Sequence, residues 1–126
     1  MPASLVLRAQ RFRTWYRARV RELFTGVDVV LAPTTPCVAP IIGKADAGVI
    51  DGTPMFVRAH LGVFTQPLSF IGLPVISVPV ARAGQLPIGV QLVGAPWSEA
   101  ALFRVAAALE STGVVAAPIA ALPAAR

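Results

Sequence analysis

The sequence predicts an α/β fold in which apolar strands are covered on both faces. Three observations carry that expectation. Val27–Pro33, Pro74–Val80 and Pro87–Val93 are apolar at nearly every position instead of alternating, as strands buried on both sides are. Ser4–Thr25 and Ser98–Leu109 show helical spacing at the two ends of the chain. Between these segments, proline and glycine recur at intervals too short for any long helix.

The first helix is expected to start at Ser4, as N-cap, and to stop at Gly26, with Leu5, Phe12, Tyr16, Val20 and Leu23 on one narrow face. Arg8, Arg11, Arg13, Arg17, Arg19 and Arg21 spread around the rest of its circumference, and they hold most of the formal net charge of +5. No single stripe of arginines with interleaved aromatics forms, so a solvated helix or a face for an acidic partner is expected, and no nucleic acid. Val27–Pro33 is too short for a helix and ends in proline, hence a strand. Thr34–Gly43 reads as an irregular crossing, and Lys44–Met55, with Asp51-Gly52 and Pro54, as an exposed loop or short hairpin. Arg58–Phe64 reads as a short helix and Thr65–Leu73 as a proline-bent passage. The two strands that follow are joined by a turn at Gly84-Gln85. In the last helix Ser98 is the expected cap and Glu99 complements the dipole. Residues 4–112 form the expected folded segment, and 113–126 an Ala- and Pro-rich, loosely ordered tail.

Composition narrows the function classes. At 126 residues a chain exposes much of its surface, yet 56% of residues are hydrophobic and 13% charged, with mean hydropathy +0.71. Those values suit a membrane protein or a part of a larger core. The best membrane window, Ala59–Ala81, is long enough to span a bilayer but contains Pro67, Pro74 and Pro79. No membrane span is therefore expected. No secretory signal is read at the N-terminus, and Cys37, the single cysteine, allows no internal disulfide, so a cytoplasmic setting is expected.

Nucleophile candidates are Ser4, Ser69, Ser77, Ser98, Ser111 and Cys37, and the bases are His60 and Lys44. No motif pairs them, and there is no Gly-x-Ser-x-Gly elbow, His-Glu-x-x-His or cysteine pair. No catalytic residue, metal site or cofactor is assigned within the chain. Ser77, between Ile76 and Val78, reads as a packed, hydrogen-bonded residue, and His60 as a structural histidine.

A longer pattern is more specific. "DVVLAPTTPCVAP" (Asp28–Pro40), "FTQPLSFIGLPVISVPV" (Phe64–Val80) and "GQLPIGVQLVG" (Gly84–Gly94), closed by an amphipathic helix, resemble the C-terminal part of amidase signature enzymes. The likeness runs from about Arg11 to Leu109, and its wording around "LGVFTQPLSFIGLPV" is most similar to carboxybiuret hydrolase-type amidases of cyanuric acid and urea metabolism. The resemblance implies an α/β/α sandwich with a mixed central sheet, and a Ser, cis-Ser, Lys triad set in a Gly/Ser-rich signature. This chain has no Gly-Gly or Ser-Ser pair, and Lys44 stands in a Gly-Lys-Ala context unlike the family's lysine. The catalytic part is thus expected upstream, as a missing partner of this segment, with a small amide as substrate only in the complete enzyme.

From the resemblance, Gly62, Phe64, Thr65 and Gln66 are expected to wall the substrate pocket. Glutamine-using amidotransferases of the family carry aspartate where Gly62 stands, so a neutral or acidic amide is expected in place of glutamine. The resemblance also implies pairing with a small helical subunit. The alternative reading is a free-standing binding or regulatory module that keeps the amidase substructure.

Overall fold

The computed structural model describes residues 1–43, 48–50, 52–80 and 82–117. Its elements run α1 (Ala3–Leu23), β1 (Val29–Pro33), β2 (Gly48–Ile50), β3 (Thr53–Met55), α2 (Val57–His60), α3 (Gln66–Ile71), β4 (Val75–Val80), β5 (Ile88–Gly94) and α4 (Glu99–Ser111). The main sheet has the order β1-β5-β4, and both of its pairings are antiparallel. The expected neighbours Pro74–Val80 and Pro87–Val93 do pair, with Ser77 opposite Gln91 and Ile76 opposite Leu92.

Alternation along β5 divides the core in two. Leu92 faces one way and, with Val78, Leu102 and Val115, forms a buried cluster under α4, with Val29, Ile76, Val90 and Val105 packed around it. Val93 faces the other way and joins Ile71 and Leu73, against Tyr16, Val20 and Phe24 at α1 and Leu68 of α3. One sheet between two helical layers is the α/β/α arrangement, and it explains why the strands do not alternate in polarity.

Cover is incomplete. Leu31 of the edge strand β1 is 60% exposed, Val75 and Ser77 of the edge strand β4 are exposed, and so is Ile88 at the start of the central strand β5. Leu31, Pro33, Cys37, Ile88 and Val90 line an apolar trough of about 530 Å³.

Local chemistry revises several expectations. Ser4 lies inside α1, whose N-cap is Pro2 with no side-chain cap. Proline serves at that boundary because the N–H it lacks would have no helical partner there. On the same helix Leu5, Phe12 and Leu23 are about half exposed, while Tyr16 and Val20, with Phe24 just past its end, reach the core. The expected apolar face is thus only partly used. The stretch Thr65–Leu73 contains a helix, α3, with Pro67 in the first turn where proline is tolerated. Gly72 ends it with φ +69°, a left-handed cap.

Ser98 precedes α4 but makes no cap bond to it, donating instead from Oγ back to the Ala95 carbonyl at 2.7 Å. The Lys44–Met55 stretch includes the β2–β3 hairpin, while 44–47 and Asp51 lie outside the described residues. The expected loose order from Gly113 onward does not hold for Val115. It is 5% exposed, bridges to Val80, and is followed by an Ala116 N–H bond to the Pro79 carbonyl at 3.3 Å, because β4 offers an open edge. Residues 118–126 lie outside the described residues.

Candidate functional site

The Gly62–Gln66 turn is built on one acceptor. The Gly62 carbonyl receives the Gln66 N–H at 2.8 Å, the Thr65 N–H at 3.1 Å and the Thr65 hydroxyl at 3.2 Å. Three donors on one oxygen wind the chain from α2 into α3 within a few residues. Thr65 spends its hydroxyl on that carbonyl and does not cap α3. The Gln66 side chain folds over Gly62, so closely that a Cβ there would stand 2.8 Å from Nε2 and 3.1 Å from Cγ. Position 62 thus presents a glutamine amide in place of its own side chain.

A second residue fastens this turn to the sheet. Gln91 is 2% exposed, in the middle of the otherwise apolar β5. Its Nε2 donates to the Pro33 carbonyl at 2.8 Å and to the Phe64 carbonyl at 3.3 Å. One buried amide therefore joins the end of β1, the central strand and the Phe64 turn. A buried amide needs such partners, and no described buried side-chain N or O atom lacks one. Sequence reasoning passed over Gln91, although a single polar residue within Ile88–Gly94 was a visible signal.

Among the described residues the remaining polar groups do not assemble into a catalytic pair. Ser77 is opposite Gln91 in the sheet and its Oγ lies 3.0 Å from Thr34 Oγ1, hydroxyl to hydroxyl, so it is hydrogen-bonded as expected, but it is exposed and not packed, because that face of β4 is open there. His60 places Nδ1 2.8 Å from the Phe56 carbonyl, one turn back, which fits a structural role. Lys44 lies outside the described residues. Among the described residues no group of three His, Cys, Asp or Glu could hold a metal, and no helix is long and apolar enough to cross a membrane. The geometry offers amide donors, acceptors and shape. It places Gly62, Phe64, Thr65 and Gln66 in one turn at the sheet, with Gln91 beneath Phe64.

Helices on both faces of a β1-β5-β4 sheet, with a polar turn tied to its middle strand, make an α/β/α arrangement. The amidase family model matches residues 2–103, and the chain belongs to the amidase family. It is 44% identical over 115 residues to AtzE, a 1-carboxybiuret hydrolase subunit of Pseudomonas sp. (strain ADP), the match covering 90% of this chain and 25% of that protein. It is 46% identical over 90 residues to the fatty acid amide hydrolase of Medicago truncatula, covering 71% of this chain and 15% of the relative. A solved structure of a vestigial protein complex, bearing on the origins of an s-triazine catabolic enzyme, superposes with a TM-score of 0.84 at 42% identity over 91% of this chain and 25% of its own. The chain therefore spans about a quarter or less of the length of these relatives.

Proposed function

We propose that this chain works as the C-terminal portion of an amidase that hydrolyses a linear C–N amide bond of the carboxybiuret or urea type. In this reading it supplies three strands and the Gly62, Phe64, Thr65 and Gln66 wall of the pocket, and a Ser-Ser-Lys centre comes from polypeptide outside it. The observation that carries the reading is the Gly62–Gln66 turn, formed and tied to Gln91, in a segment 44% identical to a 1-carboxybiuret hydrolase subunit. A turn so fastened is a surface prepared for a ligand, since positioning groups act through rigid support. The absence of a carboxylate at Gly62, with the Gln66 amide over it, favours a neutral or acidic amide over glutamine. Residues 4–112 are the functional segment in this proposal. A small helical subunit is a further partner, and the lone cysteine fits a cytoplasmic setting.

The test is complementation. The chain alone should release no ammonia from 1-carboxybiuret, biuret or simple aliphatic amides, because a hydroxyl without a positioned base is a weak nucleophile. Co-expressed with the upstream part of the Pseudomonas relative, it should restore turnover of a carboxybiuret-type amide. Turnover by the chain alone that vanishes in Ser77→Ala would refute the proposal. A stable monomer that never complements would favour the free-standing module.

A further inference from the structure

Between β5 and α4 the chain makes the turn Ala95-Pro96-Trp97-Ser98, closed by the Ser98 N–H on the Ala95 carbonyl at 3.1 Å. Trp97 has φ +68° and is the one non-glycine residue with positive φ among those described. Proline before a residue of positive φ is the arrangement of a type II turn, whose third position normally falls to glycine or asparagine. An L side chain as large as indole rarely adopts that backbone conformation.

Its surroundings hold it there. The Ser98 hydroxyl also donates to the Ala95 carbonyl, and the next turn is pinned by Leu102, which is fully buried. A Cβ at Gly94 would collide with Ser98 Oγ and press on Leu102, so the connection has little room to relax. Backbone strain persists only where the neighbourhood over-determines it. The side chain so presented is 93% exposed, and among the described residues only Met1 and Ile42 are more exposed large apolar residues. Both the backbone and the hydration of this residue are thus unfavourable in the chain as it stands.

We propose that Trp97 is an anchor, a ring set on a rigid turn to enter an apolar pocket on the upstream body of the amidase, with an acceptor for its indole N–H. This rests on the reading of the chain as one portion of an amidase. Two observations favour that occupant over others. The chain spans about 25% of relatives that fold as one polypeptide with this segment. It also leaves apolar surface uncovered at the trough of Leu31, Ile88 and Val90, so a large apolar body is already called for. Tryptophan is the residue type most enriched among the few that dominate interface energetics, and a rigid presentation lowers the entropy lost on docking.

The experiment co-expresses the full chain with the upstream part of the Pseudomonas relative, isolates the complex through a tag on this chain, and compares it with the chain alone. Hydroxyl-radical footprinting reads Trp97 oxidation against a reference peptide in the same tube. Oxidation is expected to fall about tenfold in the complex, as the ring passes from 93% exposed to the near-complete burial of a hot spot. Trp97→Ala should weaken assembly at least about 30-fold, the loss given by truncating such a residue, while Trp97→Phe keeps most of it. Leu31→Lys, in the trough, serves as a separate report on the docking reading. If the complex forms and Leu31→Lys weakens it, but Trp97 stays reactive and Trp97→Ala binds as tightly as wild type, the anchor is wrong and the amidase reading stands. No complex with wild type would overturn both. Protection of Trp97 that rises with the concentration of the chain alone would assign the ring to a second copy and overturn the proposal.

Discussion

Expressed alone, the chain should self-associate and bind hydrophobic dyes, and covering its open surface should give it a fixed fold. A compact protein of 13.2 kDa exposes about 6,400 Å² by the usual scaling with mass. This chain exposes 9305 Å², an excess of about 2,900 Å² over that expectation. Leaving out residues 44–47, 51, 81 and 118–126, which expose at most about 2,200 Å², and lowering the expected surface of the remainder to about 5,900 Å², still leaves about 1,200 Å². A standard interface buries only about 800 Å² per partner, so the uncovered area belongs to the obligate class.

The sharpest perturbation is Leu31→Lys. Leu31 is 60% exposed, so in the isolated chain the change should cost no more than about 1 kcal/mol. Once the trough is covered, a lysine there must be buried without a partner, and assembly should weaken by about 2 kcal/mol or more, roughly 30-fold. Dye fluorescence and sedimentation velocity on the isolated chain, followed by titration of the co-expressed complex, read both terms. A monomeric mass, a single cooperative thermal transition and no dye binding in the isolated chain would refute the area argument.

Three further outcomes are expected. Gln91→Leu removes both amide bonds, and because the Pro33 and Phe64 residues are themselves exposed, their carbonyls can recover water, so the loss in urea denaturation of the complex should be about 1–2 kcal/mol. Hydrogen exchange in that variant should rise first in peptides covering residues 61–66. Leu102→Ala empties a fully buried site between α4 and the sheet, and should cost about 2–5 kcal/mol in the same assay. Gly62→Asp must displace the Gln66 amide, which can swing away; stability should change by less than about 1 kcal/mol, while KM for an acidic amide rises in the complemented enzyme.

Apolar runs and helical spacing by themselves determined the three main strands, that β4 and β5 are neighbours and that helices bracket the sheet, while the family was legible only through the resemblance carried by the order of Gly-Leu-Pro, Val-Pro and Gly-Val-Gln. A near-continuous apolar run such as Ile88–Val93, whose Leu92 and Val93 are both buried, is satisfied between two layers, and that constraint is local enough to read from composition. Caps and bends were less legible. Pro67 argues against a helix until it is seen in a first turn, and Ser98 looks like a cap until its hydroxyl is found on Ala95. Only the tertiary structure decided that Gln91 reaches Phe64, 27 residues away, that Gln66 occupies the space over Gly62, that Val115 completes the α4 core, and that Trp97 stands on a left-handed turn. Each depends on groups brought together across the chain or on a backbone angle set by several packed neighbours. Residue type and spacing carry no record of either.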